Sequence, residues 1–444
     1  INEFSLTTYE MLAPEAIGVA AAAVDQNVVE GSESVIDGIT YVEGINIFAT
    51  IQEAVDAAID GQTIRVSAGT YAEDVEITKN NLSLVGPNAN IAGNSSERNE
   101  EAIISASIRV AEGVKNFVFN GFTMSANLQI VLENNVSGVE VCNNVLSGTT
   151  KDGVIYVSGT EVCDLVFNDN YSISHNGYRV INVMNAMNGL ENLEVMNNYF
   201  DNPNGVYDFL NAATLSGYVL IKNNTFNNSL QSFLYVRGVK HIDVVIEANI
   251  ISNVTNTIVD FRNMKEANAS ATFTIKKNEF NNSGCGWAPI RIRTAGYTTG
   301  NTIEVNITDN QFIESAYNEN GIPQFLENPS YTTGDGEFDK IYTVGRNYYE
   351  WNGEVYTELT DENFTNAAIS FEAAYNSKDE MISKAQTYVY DFVTNFSTYG
   401  AYWNTSYALH TITNEDLGSS EKATFVLSYS NRQISTIKDR PVMA

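Results

Sequence analysis

Arginine side chains recur at one place in a repeating pattern of this sequence. When the repeats are aligned, two rows of residues are expected to point outward from successive strands. The first row reads Tyr156, Asn182, Asn211, Tyr235, Asp260 and Arg291, and the second reads Ser158, Met184, Ala213, Arg237, Arg262 and Arg293. Four of the eleven arginines of the chain therefore fall on one face, beside a tyrosine and an aspartate.

This face has the chemistry of an anion-binding surface. A guanidinium group binds a carboxylate or a sulfate through paired hydrogen bonds, and an adjacent aromatic ring suits the face of a sugar. The ligand-binding candidates for an acidic glycan are Tyr235, Arg237, Asp260, Arg262, Arg291 and Arg293. The alternative interpretation is structural, because the same arginines can form a ladder of ion pairs or lie under the acidic C-terminal segment.

The charge of the whole chain is strongly negative. It has 54 acidic and 24 basic residues and a formal net charge of −30. Such a surface repels nucleic acid and anionic lipid, so neither is expected as a partner. No apolar run reaches the roughly 18 residues of a membrane span, and residues 16–24 lack the basic flank of an intact signal peptide.

Metal and thiol chemistry find little support in the composition. The three cysteines and three histidines are too sparse and scattered for a disulfide framework or a zinc site. No cofactor is predicted, although so many carboxylates can attract Ca²⁺ diffusely.

The repeat itself is a phrase of asparagine, any residue, and then an apolar or aromatic residue. Its asparagines follow one another at intervals of 24 to 37 residues and are Asn120, Asn144, Asn170, Asn198, Asn224, Asn249, Asn278, Asn310 and Asn347. Apolar residues lie three and usually five positions before each of them, which is the alternation of a strand with one buried face. Asparagine tolerates left-handed backbone angles, so it is expected to turn the chain and to bond to the same amide one coil away.

A second strand is predicted 12 to 14 residues after each asparagine. Its inward positions are Val157, Val183, Ala212, Val236, Phe261 and Ile292. Two aligned strands per coil, stacked in sequence order, predict an all-β fold, a parallel β-helix solenoid.

The ends of this solenoid are also legible. Thr50 and Glu53 form a capping box at the start of a short helix that Gly61 is expected to end. Residues 360–444 are predicted to form a small C-terminal α+β module, with a helix over residues 378–396 and strands over residues 402–412 and 423–429. The predicted domains are an N-terminal arm over 1–44, the β-helix over 45–359, and the module over 360–444.

Residues 48–55, 64–66, 69–71 and 84–86 resemble the opening of pectin-esterase-like and pectate-lyase-like proteins. Residues 346–353 resemble the aromatic phrase that often closes such folds. The resemblance covers roughly residues 45 to 355 and implies the right-handed parallel β-helix superfamily. That superfamily includes polysaccharide-degrading enzymes, phage tailspikes and adhesin-like surface proteins, so the resemblance implies a fold and leaves the function open.

The same resemblance implies where a catalytic site would lie. Pectate-lyase-like sites combine aspartates that hold calcium with an arginine base, and Asp208 and Asp260 with Arg262 or Arg291 can imitate that set. The pectin-esterase phrase is only partly matched by residues 257–261. Asp260, Arg262 and Arg291 are therefore the catalytic candidates, if the chain is an enzyme.

Three functions remain open. The first is a non-catalytic extracellular or cell-surface module, adhesin-like or fibre-forming, that faces a glycan or assembles with further copies. The second is a polysaccharide lyase or glycoside hydrolase that acts on an acidic glycan. The third is a phage tailspike or receptor-binding protein. Regular coils without a complete catalytic set favour the surface module.

Overall fold

A computed structural model of the chain describes residues 22–25, 33–36, 39–42, 47–125, 128–147, 153–173, 179–184, 189–262, 268–283, 290–292, 301–313, 326–327, 338–351, 367–372, 404–408, 422–425 and 427–435. Within these residues the backbone is almost entirely strand, with one short helix near the N-terminus. No helix among them is long and apolar enough to span a membrane.

The N-terminal elements are four short strands and the helix. They are β1 (Ala22–Val24), β2 (Glu33–Ile36), β3 (Ile39–Val42), β4 (Ile47–Phe48) and α1 (Ile51–Ala57). β2 and β3 pair as an antiparallel hairpin. β1 lies in the predicted arm, yet it pairs in parallel with β4 and with the next strand, β5 (Thr63–Val66). The arm therefore contributes a strand to the first coil.

Helix α1 begins with the predicted capping box. The Thr50 hydroxyl accepts a hydrogen bond from the Glu53 N–H, and the Glu53 carboxylate accepts one from the Thr50 N–H, both at 3.2 Å. The buried face of α1, which includes Ile51, joins the hydrophobic core of the coils. The helix ends at Ala57, earlier than predicted, and Gly61 (φ +87°) lies in the turn that leads to β5.

The remaining strands follow one another to the C-terminal end. They are β6 (Gly69–Tyr71), β7 (Val75–Ile77), β8 (Ser83–Val85), β9 (Ala102–Ile104), β10 (Ile108–Val110), β11 (Lys115–Asn120), β12 (Thr123–Met124), β13 (Ile130–Leu132), β14 (Ser137–Cys142), β15 (Val145–Ser147), β16 (Ile155–Val157), β17 (Val162–Asn168), β18 (Tyr171–Ile173), β19 (Ile181–Val183), β20 (Leu190–Met196), β21 (Tyr199–Ala212), β22 (Leu215–Lys222), β23 (Thr225–Val236), β24 (Val239–Glu247), β25 (Ile250–Val254), β26 (Val259–Phe261), β27 (Ser270–Lys276), β28 (Glu279–Asn281), β29 (Ile290–Ile292), β30 (Asn301–Thr308), β31 (Gln311–Ile313), β32 (Leu326–Glu327), β33 (Phe338–Trp351), β34 (Ala367–Glu372), β35 (Asn404–Ala408), β36 (Lys422–Phe425) and β37 (Leu427–Ser435).

These strands stack into three columns of parallel strands, so the fold is the predicted parallel β-helix. The first column holds the strands before the repeat asparagines, from β5 through β8 and β11 to β30 and β33. The second column holds the strands directly after the asparagines, from β6 through β9 to β31 and the end of β33. The third column runs from β7 through β10 to β29 and β32. The long strands β21 and β23 pass from the second column into the third.

The second column is absent from the sequence prediction, which gave two strands per coil. Its strands are mostly two or three residues long, and most of them have a single inward position. A segment with one inward residue shows no alternation, so the sequence pattern could not reveal it.

The core of the coils is a stack of apolar side chains in register. Val195, Ile221, Ile246 and Ile275 are neighbours on successive strands of the first column. All four are fully buried, as predicted. Each coil therefore covers the apolar face of the one before it, which is how a solenoid builds a continuous core.

The repeat asparagines form the predicted ladder, whose members are Asn144, Asn170, Asn198, Asn224, Asn249, Asn278 and Asn310. The backbone N–H and the Nδ2 of each donate to the Oδ1 of the next, for example at 3.0 and 2.9 Å from Asn198 to Asn224. Asn120 departs from the pattern, since its Oδ1 accepts from the N–H of Asn90 and the Nδ2 of Asn143.

The left-handed residue of this turn is the one before the ladder asparagine, and the prediction that the ladder asparagine itself adopts that conformation is wrong. Residues with φ between +53° and +56° precede the seven ladder members and are Asn143, Asp169, Asn197, Asn223, Ala248, Lys277 and Asp309. The ladder asparagine is instead buried, with its amide committed to neighbouring coils.

The C-terminal strands add antiparallel pairs to the end of the solenoid. β37 pairs antiparallel with β33 and with β35, and β36 pairs antiparallel with β34. The predicted strands over residues 402–412 and 423–429 correspond to β35 and to β36 with the start of β37. The helix predicted over residues 378–396 lies outside the described residues, and the domain boundaries at residues 45 and 360 stay predictions.

Candidate functional site

The third column carries the predicted first row in the predicted register, but Asn182, Asn211 and Asp260 are buried, so the prediction that they face solvent is wrong. Tyr156 pairs with Asn182, Asn182 with Asn211, Asn211 with Tyr235, Tyr235 with Asp260, and Asp260 with Arg291. We call Tyr235, Arg237, Asp260, Arg262 and Arg291 the arginine face. The register that the alignment predicted for the first row is therefore confirmed.

The centre of the arginine face is a compact group of three side chains. The Arg262 Nε lies 3.1 and 3.0 Å from the two carboxylate oxygens of Asp260, and its Nη2 reaches the same carboxylate. The Arg262 Cζ lies 4.6 Å from the centroid of the Tyr235 ring, one coil earlier. The guanidinium is thus held flat between a carboxylate and an aromatic ring, an arrangement that suits arginine and would not suit lysine.

Asp260 is buried, although the sequence prediction placed it on an exposed face. Only 2% of its side chain is accessible, whereas 27% of the Arg262 side chain is. Alternation gives the direction in which a side chain leaves its strand, but Arg262 folds back over the carboxylate two residues before it. The exposed part of this pair is therefore cationic, because the carboxylate lies underneath.

A second buried carboxylate lies beside this group. Asp208 accepts a hydrogen bond from the Ser232 N–H at 3.2 Å and forms an ion pair with the Arg179 Nε at 3.4 Å. Burial raises the pKa of the Asp208 carboxyl to about 6, against the opposing effects of Arg179 and the Ser232 N–H, and the negative charge of Asp260 raises it further.

The sequence prediction missed a further row of aligned residues, which are Arg179, Asp208, Ser232 and Thr257. Each lies three residues before a member of the first outward row, so the same alignment extended three positions upstream would have found it. The Thr257 hydroxyl is buried and has no hydrogen-bond partner among the described residues. Arg179 in one coil and Asp208 in the next show that this row is a charge-compensated polar layer.

The structure describes the other predicted arginines to different extents. Arg237 is exposed, and its N–H bonds to the Ala212 carbonyl of the preceding coil at 2.8 Å, so it stands beside Arg262 along the stack. The backbone of Arg291 is paired with Asp260, but its side chain lies outside the described residues. Arg293 lies outside them altogether.

Within the part of the chain that is described, no three His, Cys, Asp or Glu side chains come together as metal ligands. Burial raises the pKa of the Cys142 thiol, and burial raises that of Cys163 to about 11, so neither is an activated nucleophile at neutral pH. The face is thus a set of paired charges with an exposed arginine edge.

Comparison with known proteins adds similarity of fold at low sequence identity. No protein-family model matches the chain, and no curated protein matches it. The crystal structure of PfbA, a surface adhesin of Streptococcus pneumoniae, is similar over 73% of this chain and 87% of its own, at 12% identity and a TM-score of 0.36. ORF18 of Geobacillus virus E2 is similar over 67% of this chain and 59% of its own, at 14% identity and a TM-score of 0.30. At these values neither structure carries an inference about what this chain binds.

Proposed function

We propose that this chain is a non-catalytic extracellular surface module that binds an acidic glycan through its arginine face. The observation that carries the proposal is the Asp260–Arg262–Tyr235 group, in which the carboxylate is buried and 27% of the Arg262 side chain is accessible. Arg237 adds a second exposed cation one coil earlier. On a protein of net charge −30, a local cationic edge is a place where a carboxylate or sulfate can dock.

The burial of both aspartates supports a binding role over a catalytic one. A general acid or base must come within hydrogen-bond reach of the bond that breaks. Only 3% of the Asp208 side chain and 2% of the Asp260 side chain are accessible. Their oxygens are already occupied by arginine and backbone donors.

A glycoside hydrolase is the second candidate, and one observation favours it. Burial raises the pKa of Asp208 to about 6, and the negative charge of Asp260 acts in the same direction. A carboxyl group whose pKa is raised by burial is suited to act as a general acid. This function requires that the covering side chains move aside when substrate binds.

The binding experiment compares dextran sulfate with uncharged dextran, using the wild-type chain and two variants. Arg237→Ala removes the exposed cation. The double variant with Asp260→Asn and Arg262→Gln removes the buried carboxylate and its arginine partner together. No unpaired carboxylate is therefore left in the core. Each variant is expected to weaken dextran sulfate binding roughly tenfold, the loss of one charge-assisted contact. Arg65→Ala, an exposed arginine of the first column, is the matched control and should change nothing.

Binding should also weaken as salt rises, because exposed charges are screened over about 8 Å at physiological ionic strength. Equal binding of dextran and dextran sulfate, or equal affinity of wild type and both variants, would overturn the proposal. The release of new reducing ends from polygalacturonate without the unsaturated ends that a lyase leaves, abolished by Asp208→Asn while binding persists, would establish the hydrolase instead.

A further inference from the structure

An exposed aromatic strip runs along the second column, whereas the arginine face lies on the third column. Tyr171 pairs with Tyr199, Tyr199 with Thr225, and Thr225 with Ile250 in successive coils. Tyr199 and Ile250 are 38% and 44% accessible. The ring centroids of Tyr171 and Tyr199 are 5.6 Å apart and the ring planes are tilted by 53°, so the two rings adjoin each other along the solenoid axis.

Amide side chains stand beside these rings. Asn197 and Asn223 are exposed and lie in the turns that precede the strip in two successive coils. The Asn223 Nδ2 donates a hydrogen bond to the Asn197 Oδ1 at 3.4 Å. Asp201 and Asn227 are partly exposed and pair in register on the other side of the rings. We call Tyr171, Tyr199, Asn197, Asn223, Asp201 and Asn227 the tyrosine strip. It combines the apolar surface of two aromatic rings with hydrogen-bond donors and acceptors on both sides of them.

The charge of the tyrosine strip limits what can bind it. Its only carboxyl group is that of Asp201, the carboxyl group of Asp169 lies in the adjoining turn, and none of its six residues is basic. A carboxylate or sulfate on the ligand would meet these two acids without a cation among the residues of the strip. An uncharged ligand rich in hydroxyl groups instead finds hydrogen-bond partners in the amides and an apolar surface in the rings.

One end of the strip is closed by a loop of the protein itself. The Gly93 N–H donates to the Asp169 carbonyl at 2.8 Å, and the Gly93 backbone lies against Tyr171 so closely that a side chain would not fit. In the same loop, Arg98 donates to the Asn143 carbonyl at 2.9 Å. The loop thus covers the turns of the preceding coils and stops at Tyr171, beyond which Tyr199 is accessible.

We propose that the tyrosine strip binds an uncharged polysaccharide laid along the solenoid axis, with one sugar ring facing each coil. Coils in a parallel stack repeat at about 4.8 Å, a spacing comparable to that of successive pyranose rings in an extended chain. The Tyr171 and Tyr199 rings would support two neighbouring sugars, and the amides on either side would bond their hydroxyls. This surface is separate from the arginine face and uses none of its residues.

The test is isothermal titration of cellohexaose, mannohexaose and xylohexaose into the wild-type chain and three variants. Tyr199→Ala is expected to weaken the binding of the preferred hexaose roughly tenfold, the change for loss of one aromatic contact at a binding centre. Tyr199→Phe keeps the ring and should keep the affinity within about twofold. Tyr207→Ala removes an equally exposed tyrosine, 43% accessible, that lies outside the strip, and should change nothing.

The disaccharide of the preferred sugar should bind more weakly than the hexaose, because it spans fewer coils. Binding should be insensitive to salt and to Arg237→Ala, which separates this site from the arginine face. The proposal is overturned if none of the three hexaoses binds, or if the bound one has equal affinity for wild type and for Tyr199→Ala. Circular dichroism confirms that each variant is folded, which is expected because Tyr199 points outward.

Discussion

The Asn224→Ala substitution removes one member from the middle of the asparagine ladder. The Asn224 Oδ1 accepts from the N–H of Asn198 at 3.0 Å and from its Nδ2 at 2.9 Å. The Asn224 Nδ2 donates to the Val195 carbonyl at 2.9 Å, to the Lys222 carbonyl at 3.0 Å and to the Asn249 Oδ1 at 2.9 Å. All five bonds disappear with the side chain.

The cost follows from the groups left behind. The Asn198 N–H is a buried backbone donor that loses its acceptor, whereas the Val195 carbonyl lies in a strand of the parallel ladder. A buried donor without a partner costs about 1–3 kcal/mol, which predicts a loss of about that size in the free energy of unfolding. Because coils contact only their neighbours, the damage should be greatest in the two adjoining coils.

The assay is urea unfolding followed by circular dichroism, with hydrogen exchange to locate the weakened coils. Asn223→Gly is the control, since it removes the exposed neighbouring amide and keeps a residue that tolerates a positive φ. The reasoning is refuted if Asn224→Ala costs less than about 1 kcal/mol, the size of one ordinary hydrogen bond, or no more than the control.

Three further predictions concern stability. Ile246→Ala should cost about 2–5 kcal/mol because Ile246 is fully buried, and a denaturation midpoint close to wild type would contradict this. Ala248→Asn should raise the midpoint by the equivalent of about 1 kcal/mol, because alanine is held at φ +55° where asparagine is tolerated; a lowered midpoint would count against it. The folded pKa of Asp208, about 6, lies above its ordinary value of 3.8, so its stabilising contribution is present below pH 3.8 and is lost as pH rises through 6. Wild type should therefore lose up to about 3 kcal/mol between pH 4 and pH 7 relative to Asp208→Asn, and a difference that does not change with pH would contradict the assignment.

The ladder and the core were predictable because their requirements are strict. A buried amide that must bond to both neighbouring coils leaves asparagine at one position in every repeat, so the register could be read from the sequence. The left-handed residue before it is less constrained, and Ala248 and Lys277 occupy that place as well as asparagine and aspartate. Because the residue type varies at this position, the sequence pattern did not identify the residue that turns the chain.

The arrangement of the candidate site was only partly predictable. Register placed Tyr235 and Asp260 in adjacent coils, since equal spacing from the repeat asparagine fixes which residues pair. Burial of Asp260 depends on the path of the Arg262 side chain, which backbone periodicity does not encode. Extending the alignment three positions upstream would have placed Arg179 and Asp208 in adjacent coils, but their ion pair depends on the paths of the side chains, which register does not encode.

The asparagine ladder makes the hydrogen bonds between each pair of its coils chemically alike. Asn198 donates to Asn224 through the same two groups by which Asn224 donates to Asn249, 25 residues later. Deletion of residues 224–248 would bring Asn198 against Asn249 with the same donors and acceptors in place. The rod would shorten by one repeat, about 4.8 Å, and a duplicated repeat would lengthen it by the same step. Duplication or loss of one repeat can therefore change the length of the solenoid in fixed increments, without a new kind of contact between coils.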